Sequence, residues 1–307
     1  MSKTPQKTII TCASTGATLS PSMSPNLPVS PEEIAKQSKD AVKAGASILH
    51  LHARNPDGSP TNATEIWAEF IPELQKDTDA IINMSASFGQ TAEERLSAVR
   101  ALRPDIATVI VGSMNYGLFA KSRNQGIDKF NTQWERDTFG ENAYKIVTQN
   151  SFDTIHRMVD ILVDEDIGME FEAYDVGHLY ILEHHLNRKP NIKRPIILQF
   201  LTGIMGGIPS DIDHLVHLKR TSERLFGDAV QLFTHGTGMG NIKAATYGAM
   251  MGTHLRVGQE DNLFETPGVP FRSNAHQVEK ITGILSALNI ETATPAEARQ
   301  ILDIAKK

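Results

Sequence analysis

The sequence has little cysteine, no long apolar run and no excess of positive charge. Cys12 is its only cysteine, which excludes an intramolecular disulfide and is typical of a reducing compartment. No segment approaches the roughly 20 consecutive apolar residues of a membrane-spanning helix, and the N-terminus has no apolar signal core. Lysine and arginine total 30 against 36 acidic residues, which disfavours nucleic acid as a partner. We therefore expect a cytoplasmic protein with no membrane and no nucleic-acid partner.

Eight short apolar runs, most of them followed by a helix-like stretch, indicate an α/β fold. Helix starts carry cap signals: Ser30-Pro31-Glu32-Glu33 combines an N-cap, a first-turn proline and an N3 glutamate, and similar patterns begin at Thr91 and Thr294. Near-continuous apolar runs are typical of buried parallel strands. Eight of them predict a closed (β/α)8 TIM barrel, as a single domain over residues 1–307. The runs are Thr8–Cys12, Ser47–His52, Ala80–Asn83, Ile106–Val111, Met169–Ala173, Pro195–Leu201, Ala229–Phe233 and His254–Val257.

The segment from Asn115 to Gln149, after the fourth predicted strand, is too long for a simple connection. It is rich in polar and charged residues. Long loops inside compact domains usually have a function. We expect an elaborated loop that serves the active site or an oligomer contact.

His50 and His52 form the sharpest chemical pattern. Histidines two residues apart on a strand point to the same face, and at the end of a barrel strand that face is the active-site mouth. Paired imidazoles suit Zn²⁺, which needs a third protein ligand in catalytic sites. Either Glu260 or Asp261, after the eighth strand, is a candidate for that ligand, and the other carboxylate could act as base or orienter. The alternatives are two structural histidines and a solvated acidic loop.

Two further residues near this loop have expected roles. Arg256 could stabilise a developing oxyanion. His254, at the start of the eighth strand, is expected to be structural. On the fifth strand, Glu170 and Glu172 alternate with apolar residues and should point into the barrel, where a carboxylate needs a partner such as a metal, an arginine or a bound amine. A purely structural charge network is the alternative for this pair.

Polar residues at other strand ends are candidates for ligand binding. Ser85, Ser87 and Ser113 could hold a substrate carboxylate, or they could be ordinary turn and cap residues. The glycines of the loop after the seventh strand precede a helix, and such loops commonly bind phosphate in barrels. Gly236, Gly238 and Gly240 could therefore bind the pyrophosphate of coenzyme A, although a tight turn explains them equally well.

Several of these segments together resemble the β-keto acid cleavage enzyme family, over nearly the whole chain. The resemblance rests on the segments 9–17, 44–54 (which contains Ile48-Leu49-His50-Leu51-His52-Ala53-Arg54), 104–108 with 112–115, 170–178, 256–262 and 293–299.

The resemblance implies a (β/α)8 barrel, usually tetrameric, with zinc held by His50, His52 and Glu260. Family members exchange a β-keto acid with acetyl-CoA, giving acetoacetate and a new acyl-CoA. The metal is expected to polarise the 3-keto group, and Asp261, paired with Arg256, to generate the enolate of acetyl-CoA that attacks the ketone. CoA transfer and a retro-Claisen step follow. A carboxylate in a dry cleft can have the raised pKa that such a base needs.

The sequence departs from the family pattern at two places that bear on the substrate. Ser85-Ala86-Ser87-Phe88-Gly89 stands where many relatives have Thr-Thr-Gly-Gly, and Ile110 stands where a polar residue is common. Glu170 and Glu172 suggest a cationic substrate such as 3-keto-5-aminohexanoate. From the residues alone, a zinc hydrolase that activates water, or a barrel with a structural metal or a ligand-binding role, are the alternative functions.

Overall fold

Eight parallel strands close into a barrel in which each strand pairs with its neighbours in the sequence and the last pairs with the first. The structure is a computed structural model that describes residues 7–118, 129–193 and 195–305. The predicted TIM barrel is confirmed, because each of the eight apolar runs supplies one strand. The strands are β1 Ile10–Ala13, β2 Ile48–Leu51, β3 Ile81–Ser85, β4 Ile106–Ile110, β5 Gly168–Ala173, β6 Ile196–Thr202, β7 Val230–Gly236 and β8 His254–Val257.

Helices surround the barrel, and their starts follow the cap signals in the sequence. Ser30, Thr91 and Thr294 each accept the backbone N–H of the N3 glutamate, which in turn bonds the cap backbone. The described helices are α1 Pro31–Lys43, α2 Thr64–Ala68, α3 Ile71–Asp77, α4 Ala92–Arg95, α5 Ser97–Leu102, α6 Gln133–Phe139, α7 Phe152–Asp164, α8 Val176–Arg188, α9 Ile212–Phe226, α10 Asn241–Met250, α11 Asn274–Ala287 and α12 Pro295–Leu302. None of them is long and apolar enough to cross a membrane.

The lower part of the barrel interior is apolar and is closed by the C-terminal helix. Side chains near the strand starts, including Ile48, Ile81 and Phe233, form one buried cluster with Ala298 and Leu302 of α12. At the same end Arg299 makes a two-pronged ion pair with Asp105, at 2.9 and 3.1 Å. Two segments that carry the family resemblance, residues 104–108 and 293–299, therefore bind each other.

Above this layer the inward-facing side chains become polar. Thr11, His50, Asn83, Thr108, Glu170, Gln199, His235 and Arg256 are all at most 2% exposed. Some of these side chains hydrogen-bond one another, as Asn83 and Thr108 do with Glu170, whereas Glu170 Oε2 and His235 Nε2 have no hydrogen-bond partner among the described residues. This layer is the polar floor of the active-site mouth.

Part of the predicted loop after β4 covers this mouth. Met114–Asn115 pairs antiparallel with Val147–Thr148, and between them lie α6 and a 3₁₀ turn at Glu141–Lys145. Residues 119–128 of the predicted loop lie outside the described residues. Tyr116, Leu118 and Phe139 pack in an apolar cluster with residues such as Leu19 and Leu201. Two further ribbons pair Ala53–Arg54 with Pro60–Thr61 and Phe264–Thr266 with Val269–Pro270.

Candidate active site

His50, His52 and Glu260 meet at the mouth of the barrel. The two histidine Nε2 atoms lie 3.3 Å apart, and each lies 3.5 Å from Glu260 Oε1. Donors bound at 2.0–2.2 Å around a tetrahedral ion are separated by about 3.3 to 3.5 Å. All three residues are buried, and Glu260 Oε2 has no hydrogen-bond partner among the described residues. The donor set therefore fits a divalent metal ion.

A tight turn after β8 places Glu260. Gly258 has φ +147°, and a Cβ atom there would overlap the carbonyl of Ala13, so the position requires glycine. The Gln259 N–H donates to Asn274 Oδ1, and the Gly258 N–H donates to Gln277 Oε1. Both amide side chains come from α11, so this helix fixes the turn that carries the proposed ligand.

Below the histidine pair, His50 is held by its other ring nitrogen. His50 Nδ1 lies 3.3 Å from Thr108 Oγ1 and 3.8 Å from Glu170 Oε1. The Asn83 amide donates to Glu170 Oε1 at 2.9 Å. Such outer contacts orient a metal-binding imidazole and fix its tautomer. Burial raises the pKa of Glu170, with only partial compensation from His50 and Arg256. Glu170 thus supports His50 from below.

Arg256 is buried completely and binds three carboxylates. Its Nε and Nη2 donate to the two oxygens of Asp261 at 2.8 and 3.0 Å, Nη2 also donates to Glu260 at 2.6 Å, and Nη1 donates to Glu172 at 3.0 Å. The Tyr174 hydroxyl donates to the other Glu172 oxygen at 3.1 Å. One guanidinium therefore joins a metal-ligand candidate to the candidate base.

The charge on Arg256 decides the ionisation of the neighbouring acids. Burial alone would raise the pKa of Glu260 and of Asp261, but Arg256, helped by nearby histidines, lowers both. The expected raised pKa of Asp261 is therefore wrong: the ion pair overcomes desolvation, and the carboxylate is ionised well into the acid range. His235 Nε2 lies 3.4 Å from Asp261 Oδ1, and its Nδ1 lies 2.8 Å from Gln199 Nε2.

An open cavity of about 580 Å³ lies over this network. The site residues that reach it are His52, Glu260, Asp261 and Glu172 on one part of its wall and Ser85 and Ser87, 3.0 Å apart, on another. The lining also includes polar side chains such as those of Thr138 and Gln149, and the apolar or aromatic side chains of Ile110, Tyr116, Leu118, Trp134, Ile146, Leu201 and Ile204. The loop after β4 thus contributes to this cavity, as an active-site loop should.

The family model for β-keto acid cleavage enzymes matches residues 7–304. The chain belongs to this family. It is 39% identical over 304 residues to a 3,5-dioxohexanoate:acetyl-CoA acetone transferase of Paraburkholderia graminis, covering 98% of this chain and 97% of the relative. It is 32% identical over 309 residues to a 3-keto-5-aminohexanoate cleavage enzyme of Acetoanaerobium sticklandii, covering 98% and 100%. The chain is therefore an enzyme.

Among solved structures, a binary complex of ObcA with oxaloacetate superposes with a TM-score of 0.74. It is 16% identical, and the match covers 92% of this chain and 68% of that one. This likeness supports the barrel fold alone.

Some residues predicted for the site, Ser113 and Glu170 among them, do not line the cavity. Ser113 is exposed, and its hydroxyl accepts the backbone N–H of Asn150. Glu170 lies beneath His50 and does not line the cavity. His254 is structural as expected, because its Nδ1 accepts the Ile9 N–H and its Nε2 lies 3.1 Å from Gln231 Oε1.

The glycine-rich loop after β7 adjoins the site, and its Thr237 also lines the active-site cavity. Gly238 and Thr237 line a neighbouring cavity of about 410 Å³, which Asp261 also lines, and the Gly238 N–H donates to the Asp261 carbonyl at 2.8 Å. A Cβ atom at Gly236 would meet the Ser210 hydroxyl, and Gly240 also lies near Ser210. Gly236 and Gly240 therefore pack against the loop after β6, and only Gly238 of the three lines a described cavity.

Five polar residues of the barrel interior were not predicted from the sequence: Thr11, Asn83, Thr108, Gln199 and His235. Each occupies a strand position two residues after an inward apolar residue, as Asn83 follows Ile81 and His235 follows Phe233. A polar residue at such a position in a predicted barrel strand is a signal that could have found them.

Proposed function

We propose that the protein is a zinc-dependent enzyme that exchanges a β-keto acid with acetyl-CoA, forming acetoacetate and a new acyl-CoA. The main support is that the candidate metal ligands lie next to the candidate base. The His50–His52–Glu260 donor set adjoins Asp261, and Arg256 bonds both Glu260 and Asp261. The names of the relatives add the co-substrate, since the Paraburkholderia graminis protein is named a 3,5-dioxohexanoate:acetyl-CoA acetone transferase.

The metal would be held by His50, His52 and Glu260. Two imidazoles and one carboxylate are a common ligand set of catalytic zinc, and a bound zinc would polarise the 3-keto oxygen as a Lewis acid. The alternative set, His50 with Glu170 and Glu172, is a poorer candidate. Glu170 does not line the cavity, and Arg256 and Tyr174 donate to both oxygens of Glu172. Glu260 Oε2, by contrast, has no hydrogen-bond partner among the described residues.

Asp261 would act as the general base. It is ionised and held in position by two bonds from Arg256, so it can take a proton without a preceding ionisation step. Glu172 and Glu260 balance the charge of Arg256, which keeps the guanidinium in place when Asp261 becomes neutral.

The balance of carbon atoms identifies the proton that Asp261 removes. In acetoacetate formed from acetyl-CoA, the acetyl carbonyl carbon is bonded to a CH₂–COO⁻ unit, which only C2 of the β-keto acid can supply. The carbon nucleophile is therefore C2 of the keto acid, and we replace the acetyl-CoA enolate expected from the family resemblance with this species.

The remaining steps follow from this assignment. C2 bonds to the acetyl carbonyl carbon, and the CoA thiolate leaves that carbon and adds to C3 of the keto acid. The C2–C3 bond then breaks, releasing the new acyl-CoA, and its electron pair remains on C2 of acetoacetate. Asp261 returns its proton to that carbon, so no external oxidant or acid is consumed.

The tail of the substrate is proposed to be neutral. Glu170 and Glu172, which suggested a cationic tail, are engaged by protein donors, and the described cavity lining has no acidic side chain other than the three bound by Arg256. Ile110, a departure from the family pattern, is part of that lining. The Paraburkholderia graminis relative is named for 3,5-dioxohexanoate, whose tail is uncharged.

Two further parts of the site are proposed to bind the substrates. Ser85 and Ser87 would bind the substrate carboxylate, and the cavity beside Gly238 would receive part of CoA. The cytoplasmic location and the homotetramer stay predictions; sedimentation of the purified protein tests the tetramer.

Product analysis tests the proposed reaction. Zinc-loaded protein is incubated with acetyl-CoA and β-keto acids of equal length that carry neutral, cationic or anionic tails. We expect acetoacetate and acyl-CoA in equal amounts, fastest with the neutral tail. Glu260→Ala should abolish turnover, whereas Glu265→Gln, a change outside the site, should not. Absence of products with every tail would refute the proposal.

Isotopic labelling tests the choice of nucleophile. With acetyl-CoA labelled with ¹³C at the methyl carbon, attack by C2 places the label in the C4 methyl group of acetoacetate. Label in the new acyl-CoA, where an acetyl-CoA enolate attacking C3 would place its methyl carbon, would instead contradict this assignment.

A further inference from the structure

Arg95 is a buried arginine on the wall of the active-site cavity. It is the last residue of α4 and is 7% exposed, yet it lines the cavity together with Ser85 and Ser87. Among the described residues lining this cavity, it is the only lysine or arginine. The other charged groups there are the carboxylates of Glu172, Glu260 and Asp261 in the network around Arg256.

The bonds that hold Arg95 leave its charge uncompensated. Its Nε donates to the carbonyl of Gly89 at 3.0 Å, Nη1 donates to Asn150 Oδ1 at 2.6 Å, and Nη2 donates to the carbonyl of Gln149 at 2.8 Å. All three acceptors are neutral, and burial lowers the pKa of Arg95. One N–H on each terminal nitrogen remains, because a guanidinium has five.

Two other arginines of the described chain show what a compensated charge looks like. Arg256 contacts three carboxylates and Arg299 contacts Asp105 on both oxygens. A buried cation without a carboxylate is costly unless a ligand brings the missing charge. Arg54 is likewise bound only by neutral acceptors, but it does not line the cavity. Among the described residues, Arg95 alone combines an uncompensated charge with access to the site.

We propose that Arg95 binds the carboxylate of the β-keto acid, assisted by the hydroxyls of Ser85 and Ser87. The inference rests on the proposed function, and it assigns the charge that recognises the substrate. Gly89, which accepts from Arg95, follows Ser87 by two residues, so the hydroxyls and the guanidinium belong to one segment of the rim. A two-pronged guanidinium–carboxylate contact is among the stronger and more specific of hydrogen-bonded pairs.

This assignment also orients the substrate. The substrate carboxylate is repelled by Glu172, Glu260 and Asp261 and binds Arg95. The 3-keto oxygen can then approach the metal that the His50–His52–Glu260 donor set would hold. C2, which lies between the carboxylate and the ketone, is then held over the floor that carries Asp261. Neutral ketones and amides of the same shape should bind without this orientation.

A matched pair of ligands tests the inference without turnover. Acetoacetate and acetoacetamide differ in charge and little in shape, and calorimetry on the zinc-loaded protein without acetyl-CoA measures both affinities. We expect the wild type to prefer acetoacetate by roughly 10- to 100-fold. Arg95→Gln should reduce this preference to near unity. Arg95→Lys keeps the positive charge but cannot make the two-pronged contact, so it should retain part of the preference. Arg54→Lys is the control for a buried arginine and should keep the full preference.

The remaining outcomes separate the alternatives. Should Arg95→Gln fail to fold, an unchanged preference in a folded Arg95→Lys protein would overturn the inference. An unchanged preference in Arg95→Gln, combined with a raised KM for acetyl-CoA, would assign Arg95 to a CoA phosphate and equally overturn it. The protein could prefer acetoacetate over acetoacetamide through Arg95 and yet form no acetoacetate from acetyl-CoA. That result would refute the proposed function but leave this inference standing.

Discussion

Gly16 lies so close to Glu260 that a Cβ atom at position 16 would overlap the β- and γ-carbons of the glutamate. Gly16 also has φ +62°, a conformation that favours glycine. The loop after β1 therefore forms one side of the slot that holds the proposed metal ligand. His50 lies on β2, His52 follows that strand directly, and Glu260 follows β8. The ends of two strands therefore supply the donors, and the loop after a third strand confines one of them.

Replacing Gly16 by alanine should displace Glu260 and weaken metal binding. We expect at least about 10-fold lower zinc affinity, similar to the loss of a residue that orients a ligand. Gly252→Ala is a matched control, because Gly252 has φ +80° and no atom within 4 Å of an added Cβ. It should cost about 1 to 2 kcal/mol of stability through backbone strain and leave zinc affinity unchanged. Equal zinc affinity in both variants would contradict the proposed slot.

Asp261→Asn should remove the base and keep the metal. The amide has nearly the same shape but cannot accept the C2 proton, so kcat should fall by about 10²- to 10⁴-fold. Zinc content, measured by elemental analysis, should remain that of the wild type. Asp228→Asn, an exposed aspartate, serves as the control and should retain kcat. Full activity of Asp261→Asn would show that another group removes the proton.

The ion pair at the bottom of the barrel should matter for stability. The Arg299 and Asp105 side chains are only 12% and 8% exposed, and Asp105 also accepts the Ile82 N–H. Removing one partner of a buried pair costs about 3 to 5 kcal/mol, so Arg299→Ala should lower the free energy of unfolding by that amount. Arg157→Ala, which breaks an exposed pair with Glu93, should cost far less, because solvent screens such a pair. Denaturant titration compares the two, and similar losses would contradict the stabilising role.

Stability should fall in mild acid because of His254. Burial lowers its folded-state pKa to about 3, below the value of about 6.5 in an unfolded chain. The unfolded state therefore binds the proton more readily, and the stabilisation present above pH 6.5 is lost as the pH falls toward 3. This group should contribute a loss of about 2 kcal/mol between pH 7 and pH 5.

Denaturation of His254→Gln at both pH values measures that contribution. The variant should lose less stability between pH 7 and pH 5 than the wild type, whereas His217→Gln, on the exposed face of α9, should behave as the wild type. An identical pH dependence in all three proteins would exclude His254 as the source.

Periodicity and cap signals predicted the barrel because both are local. Each strand appears as a buried run, and Ser30, Thr91 and Thr294 mark helix starts within four residues of sequence. The His50–His52 pair was predictable for the same reason, since two residues on one strand share a face. The choice between Glu260 and Asp261 came from the family resemblance, and the structure brings Glu260 to the histidines and Asp261 to Arg256.

The contacts around the site were not predictable from local patterns. Arg256 to Glu172 and Asn274 to Gln259 join residues that are distant in the sequence and meet only when the barrel closes. The pKa of Asp261 was predicted in the wrong direction because desolvation can be anticipated from burial, whereas the ion pair with Arg256 depends on geometry. The neutral acceptors around Arg95 likewise come from separate loops.

Zinc titration of the metal-free protein tests the central claim most directly. Acetoacetate formation from acetyl-CoA and a neutral-tailed β-keto acid is measured as zinc is added to the wild type, Glu260→Ala and Glu265→Gln. We expect activity to rise to a plateau at one zinc per chain in the wild type and in Glu265→Gln, and to be absent in Glu260→Ala. Full activity without metal, or undiminished zinc-dependent activity in Glu260→Ala, would contradict the claim.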